Sequence, residues 1–341
     1  DGVLIDFANG QIQVLAHQHA PFDAPLRTQL LALNQSGPDE LHRSALSANA
    51  LSRLYAQVVQ SLLTEGRIQA TQVRAIGAHG QTVRHQPGLH DGIGYSLQIQ
   101  NPSLLAELSG IAVVADWRSR DVAAGGQGAP LVPAFHQAVF GQAGQDLAAL
   151  NVGGIANLSV LSAQGDAMGF DCGPGNVLMD LWCQRHTGQA YDDAGRWAAS
   201  GHVQADLLTR WMQEPFFHKP PPKSTGRDLF HAEWLDSHLA AGPALASQDV
   251  QASLCALTAE SIALAVSMHA PRSSRLMVCG GGAYNQCLMG MLQARLPHMA
   301  VVSTDNAGLP PSQVEAAAFA WLARQTCLGL PGSLPKATGA K

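Results

Sequence analysis

Apolar residues fall in short runs, many of them ending in glycine-rich loops, and the runs alternate between strand-like and helix-like spacing. The opening "GVLIDF" reads as a buried strand, and "NGQ" at 9–11 predicts a hairpin turn into "IQVLAHQHA". Leu51, Leu54, Val58 and Leu62 recur at helical spacing within a helix expected over 37–66. "VRAIGAHGQTVRH" and "IAVVADW" predict strands running into glycine-containing loops. "NPSLLAELSG" between them predicts a short helix capped by Asn101 and closed by Gly110.

Near residue 145 the pattern restarts. "LAALNVGGIANLSVLS" predicts a hairpin around Gly153-Gly154, a third strand leads to Asp171, and a helix follows with Leu178, Leu181 and Trp182 on one face. "RLMVCGGGAYNQCLMGMLQARL" reads as strand, triple glycine, helix. "MAVVST" is a strand, "SQVEAAAFAWLARQTCL" a long helix, and the tail "GLPGSLPKATGAK" loop-like. The economical architecture is α/β, with two domains around a cleft.

Composition narrows the function classes. The 341 residues are 46% hydrophobic and 13% charged, which permits a large core and argues against general disorder. A net charge of −5 without a long Lys/Arg run argues against nucleic acid or an anionic membrane as main partner. The six cysteines lack CxxC spacing and read as reduced thiols of a cytosolic protein. Glu260 interrupts the longest apolar stretch, and the start lacks signal-peptide character, so neither a membrane span nor a leader is expected.

Three glycine loops follow apolar strands: 125–128, Gly153-Gly154, and Gly280-Gly281-Gly282. Glycine leaves backbone N–H groups open to a phosphate, and a helix expected directly after Gly282 would add its dipole. Singly each loop is a tight turn; together they favour a nucleotide cleft. "KSTGR" at 223–227 resembles the end of a Walker loop, but three prolines precede it where glycines are needed, so a P-loop is rejected. Lys223 and Arg227 remain candidates for anion contact or for a solvated loop. His17 and His19 could pair on a metal but read better as strand positions. His79 and His85 are poorly spaced for zinc, and Cys172 reads as a buried structural thiol. The residues alone leave Asp171 as a turn-former, a metal ligand or a base.

The blocks "AIGAHGQTVRH", "VVADWRSRDVAAGGQGAPLVPAFH", "LNVGGIANLSVL", "GFDCGPGNVLMD", "KSTGRD", "LMVCGGGAYN" and "VEAAAFAWLA" run in order through nearly the whole chain. They resemble the anhydro-N-acetylmuramic acid kinase family. The resemblance implies an actin-like (ribonuclease H-like) ATPase fold, with an N-terminal domain over 1–143, a C-terminal domain over 144–341 and ATP between them. It implies hydrolytic opening of 1,6-anhydro-N-acetylmuramic acid with phosphorylation of O6, in cytoplasmic recycling of peptidoglycan, by a homodimer using ATP and Mg2+. By motif, Asp171 matches the catalytic base. Gly153, Gly154, Asn157, Gly280, Gly281 and Gly282 match the nucleotide side, and His79, Thr82, Arg118, Gln127 and Glu315 the sugar side. Arg118 suits a lactyl carboxylate or phosphate, or a salt bridge to Asp116 or Asp121. No protein ligand for a metal is assigned.

Family members open with a "SGTS-x-DG" phosphate loop, whereas this sequence starts "DGVLIDF". The expectation is a chain lacking that loop and the strand before it. Two alternatives follow: another sugar kinase of the same fold, or a nucleotide-binding module impaired in catalysis.

Overall fold

The computed structural model describes residues 1–8, 12–226 and 229–341; the turn expected at 9–11 and the anion-contact candidate Arg227 lie outside the described residues. The fold is mixed α/β, in two compact units: Asp1–Phe135 together with Gln313–Lys341, and His136–Ser312. The linear division at 143 therefore misassigns the C-terminal segment, which returns to the first unit. Close packing is the reason: a Cβ on Gly77 would lie 2.1 Å from the Phe319 carbonyl oxygen, an approach only glycine allows.

Among its described residues the first unit carries six short strands: β1 (Gly2–Asp6), β2 (Gln13–Gln18), β3 (Ile76–Gly77), β4 (Gln81–Pro87), β5 (Gly94–Ile99) and β6 (Val113–Val114). They pair as β1–β2 and β4–β5 antiparallel and β3–β6 parallel. The strands read from "VRAIGAHGQTVRH" and "IAVVADW" shrink to two-residue β3 and β6, with β4 beginning past Gly80. The long helix starts at Glu40 rather than 37 and runs to Gly66, because Asp39 before it takes a left-handed φ of 51° that breaks the helical path from Gly37. Leu62 of this helix packs with Leu4 and Ala16 of the first hairpin. Pro102–Ser109 has the expected caps: the Asn101 side chain accepts from the Leu104 N–H at 2.9 Å, and Gly110 takes φ 69°. His17 and His19 both contact the Asp1 carboxylate, at 3.2 and 3.1 Å.

The C-terminal tail is not a loose loop. Pro335–Thr338 is helical, and the Thr338 hydroxyl donates to Asp121 Oδ2 at 2.6 Å while its carbonyl accepts from the Gln127 N–H at 2.7 Å.

The second unit is built on one five-stranded sheet from β7 (Leu147–Val152), β8 (Ile155–Leu161), β9 (Ala167–Pro174), β10 (Arg275–Cys279) and β11 (Ala300–Ser303). The order is β11-β10-β7-β8-β9, with β11, β10 and β7 parallel and β8 antiparallel to both its neighbours. One face is core: Leu150, Leu158 and Phe170, in register across β7, β8 and β9, are fully buried. Helix Ser247–His269 belongs to the same core and buries 15 side chains. By length and composition this helix could cross a membrane, but 83% of its apolar window is inside the unit. Glu260, the charge that interrupts it, pairs with Arg295 at 2.5 Å.

Candidate active site

In-register positions of an antiparallel pair present side chains on one face. Asn151, Asn157 and Asp171 are aligned this way across β7, β8 and β9, on the face opposite the Leu150–Leu158–Phe170 core. They form a polar row at the end of β7 where the chain enters Gly153-Gly154. A bulge sets the last member: Ala156 pairs with Gly173 but Asn157 with Asp171, leaving Cys172 as the extra residue. The Asn157 side-chain oxygen is buried and has no hydrogen-bond partner among the described residues.

Asp171 is 8% exposed and held from outside the sheet. Its N–H donates to the Lys223 carbonyl at 3.1 Å, and its Oδ2 accepts from the Thr225 N–H at 2.9 Å. The "KST" segment thus lines the edge of β9 and orients the carboxylate.

This corrects the reading of Lys223, which is neither a solvated loop residue nor an open anion contact. It is buried, its ammonium donates to the Phe216 and Phe217 carbonyls at 3.1 and 3.0 Å, and it lies 4.9 Å from the Phe216 ring centroid. Burial holds its pKa below the ordinary lysine value, against the opposing pull of Cys172 and Asp171. Lys223→Met would leave two inward carbonyls without this donor, at about 1–3 kcal/mol each. The expected result is a several-degree fall in Tm with a fall in kcat, as the segment bonded to Asp171 shifts; thermal unfolding and steady-state kinetics check both. Cys172 is buried, and burial followed by the Asp171 charge pushes its thiol far above the usual range, which removes it as a nucleophile.

Two of the three glycine loops, Gly153-Gly154 and Gly280–Gly282, meet around Val152. The Gly153 carbonyl accepts from the Asn176 N–H at 2.8 Å, and the Gly154 carbonyl from Gly175 and Val177 at 2.9 and 3.1 Å. These bonds place the amino end of helix Val177–Thr187, with its positive dipole, beside the hairpin. The Asn176 amide donates to the Val152 carbonyl at 3.1 Å. Gly280 has φ 76°, and a Cβ there would lie 2.5 Å from Asn151 Oδ1; one on Gly282 would lie 2.3 Å from a Val152 methyl. Gly154 and Gly281 differ, since added Cβ atoms would meet nothing nearer than 3.9 and 3.5 Å. The helix expected directly after the triple glycine is displaced. A 3₁₀ turn, Gly281–Tyr284, intervenes, and helix Gln286–Arg295 starts at its own cap, with Asn285 accepting from the Leu288 N–H at 3.0 Å. The row and loops lie at the carboxyl ends of parallel β7 and β10, where open α/β sheets take ligands.

In the first unit Arg118 links two loops. Its guanidinium donates to the Gly128 carbonyl at 2.7 Å and to His79 Nε2 at 2.9 Å. Asp121, one of the salt-bridge partners weighed for Arg118, accepts from the Gly128 N–H at 2.7 Å, and Asp116 accepts from the Ser119 hydroxyl at 2.6 Å. The 125–128 loop is therefore pinned by Arg118, Asp121 and the C-terminal tail. His79 packs on Phe319 with ring centroids 4.5 Å apart. Burial, reinforced by the Arg118 charge, drives its pKa down to about 3. Thr82 takes part in another chain: Gln98 Nε2 donates to its hydroxyl at 3.2 Å and to Ser96 Oγ at 2.9 Å, and His85 Nδ1 meets that same Ser96 Oγ at 2.9 Å. Glu315 is exposed in the first turn of Val314–Leu328 and, after burial, helps raise Tyr55 to about 12. Among the described residues, no group of three or more His, Cys, Asp or Glu is placed to hold a metal.

His136 in the second unit is likewise lowered to about 3 by burial, with its Nδ1 2.8 Å from Ser159 Oγ. Two histidines neutral in the fold make stability pH-dependent. Below the ordinary value of 6.5 the unfolded chain binds protons the folded chain refuses, so this contribution is complete above pH 6.5 and lost as pH falls toward 3. The urea midpoint should fall steadily between pH 7 and 5; a midpoint unchanged over that range would contradict two buried neutral imidazoles.

Asn151, the Thr225 N–H and the Asp121–Thr338 clamp were missed by sequence reasoning. The first was available from the hairpin itself, since Asn151 and Asn157 each lie three residues from Gly154; the others join residues 54 and 217 positions apart.

Residues 1–341 match the profile of the family described as "Anhydro-N-acetylmuramic acid kinase". The chain is 58% identical over 346 residues to a protein of that name from Variovorax paradoxus, spanning all of this chain and 92% of the relative. A Cupriavidus pinatubonensis protein of the same name is 57% identical over 343 residues, again with 100% and 92% covered. Among solved structures the likeness is distant: component A of an Acidaminococcus fermentans (R)-2-hydroxyglutaryl-CoA dehydratase gives TM-score 0.41 at 13% identity, covering 76% of this chain and 80% of that one. By profile and by identity over its whole length, the chain belongs to the anhydro-N-acetylmuramic acid kinase family.

Proposed function

We propose that the chain is an ATP-dependent kinase that opens the 1,6-anhydro ring of anhydro-N-acetylmuramic acid and phosphorylates O6, giving N-acetylmuramic acid 6-phosphate. The observation that carries this, beside family membership, is one buried carboxylate, Asp171, in a polar row that ends at a glycine cradle. O6 of the substrate is tied to C1, so it accepts a phosphoryl group only as the C1–O6 bond breaks. Water adds to C1, O6 takes the γ-phosphoryl group, and ADP leaves. Asp171 accepts a proton from that water, a role worth roughly 10²–10⁴-fold. Gly153, Gly154 and Gly281 offer backbone to the triphosphate beside the positive end of Val177–Thr187, while Gly280 and Gly282 let this loop close on Asn151 and Val152. Mg2+ brought with the nucleotide would supply positive charge to the phosphates, and no residue of this chain is assigned to hold it.

His79, Thr82, Arg118, Gln127 and Glu315 form the sugar side in this reading. Its support is the pinned 125–128 loop and a His79 held neutral, able to hydrogen-bond without adding charge. The five-strand order of the second unit supports the two-domain actin-like architecture. Recycling of peptidoglycan in the cytoplasm, by a homodimer, is the setting that goes with this substrate. The test offers anhydro-N-acetylmuramic acid, N-acetylglucosamine and glucose together with ATP and Mg2+. Phosphorylation of the anhydro sugar by a wide margin is expected. Preference for either other sugar would replace the assignment with another sugar kinase, and nucleotide binding without turnover would leave a sensor module.

A further inference from the structure

We propose that Asn157 is the second holder of the attacking water, accepting the hydrogen that Asp171 does not remove. The proposal rests on the function assigned above and adds a partner to its base. A water has two O–H bonds. If the carboxylate takes one proton, the other O–H still rotates freely, and the attacking lone pair is undirected unless a second acceptor fixes it. Asn157 supplies that acceptor: it is in register with Asp171 on the same face of the sheet, and its side-chain oxygen is buried without a partner among the described residues. Buried polar atoms are nearly always hydrogen-bonded, so an orphaned acceptor next to a catalytic carboxylate marks a position for a donor that arrives with the reaction.

The neighbours on this face do not compete for the task. Ser159, two residues along β8, is within 2.8 Å of His136 and fully buried. Asn151, on the far side of Asn157, abuts the Gly280 turn. An amide oxygen is far too weak a base to take the proton, so it orients the water without contesting it. In the balanced step the water oxygen bonds to C1 as C1–O6 breaks and O6 bonds to the γ-phosphorus. One proton passes to Asp171, and the other stays on the new C1 hydroxyl, still bonded to Asn157.

The test uses methanol as a competing nucleophile, because methanol has a single O–H and needs only the base. Asn157→Leu should lower kcat about 10²-fold with the KM values for ATP and sugar within about threefold, and should raise the ratio of methyl glycoside 6-phosphate to free sugar 6-phosphate about tenfold. Asn157→Asp keeps an acceptor at the same atom and should hold the ratio near that of the unsubstituted enzyme. An unchanged ratio in Asn157→Leu, an equal rise in both variants, or a change confined to the KM for ATP would overturn the proposal alone. Absence of sugar phosphate from the unsubstituted enzyme would overturn the function reading and this proposal with it.

Discussion

Asp171→Asn lowers kcat by about 10³-fold or more while the KM values for ATP and sugar stay within about threefold. The substitution changes one atom in a site the fold already fixes. The backbone bond to the Lys223 carbonyl does not involve the side chain, and the amide oxygen can still accept from the Thr225 N–H. Binding surfaces and Tm should therefore persist, while the group proposed to receive the water's proton is gone. The amide also places a donor where the water needs an acceptor, so the loss should exceed that of a merely weakened base. Steady-state kinetics with ATP titration check both halves. A variant with near-normal kcat would move the base elsewhere.

The second large effect separates glycines that serve the fold from glycines that serve the ligand. Gly281→Ala and Gly154→Ala should leave Tm nearly unchanged, because the added methyl meets nothing nearer than 3.5 and 3.9 Å. Each should still raise the KM for ATP by about 10–100-fold, the cost of one methyl group in space a bound phosphate occupies. Gly280→Ala should do the reverse, since its φ of 76° and the 2.5 Å approach to Asn151 make the substitution a structural lesion. Thermal unfolding beside ATP kinetics gives a crossed pattern that a uniformly structural loop would not produce. Gly281→Ala with an unchanged KM would remove that loop from the nucleotide site.

Local signals in the chain were the readable ones. The Gly153-Gly154 hairpin, the strand reaching Asp171 and the Asn101 and Gly110 caps all follow from short-range pattern, and the structure has them. Long-range determinants were not readable. Lys223 looked like a surface cation because its partners are the carbonyls of Phe216 and Phe217, and a buried ammonium bonded to backbone leaves no side-chain pattern to see. The return of Val314–Leu328 to the first unit depends on the contact between Gly77 and Phe319, 242 positions apart (319 − 77), which a left-to-right reading cannot detect. β3 and β6 pair over two residues each, Ile76 with Val113 and Gly77 with Val114, a length the longer apolar runs do not announce. Of the candidate site, the carboxylate and the glycines were legible as types. Their alignment was not, because the bulge at Cys172 that brings Asn157 opposite Asp171 is a property of strand register.

The central claim is that one carboxylate on the second unit couples water addition at C1 to phosphoryl transfer onto O6. A single turnover of anhydro-N-acetylmuramic acid and ATP in 18O-labelled water, quenched early and read by mass spectrometry, tests it directly. The account predicts one labelled oxygen per N-acetylmuramic acid 6-phosphate, carried on C1, with none in the phosphate. Label in inorganic phosphate with the anhydro ring intact, or a sugar phosphate without label at C1, would contradict it.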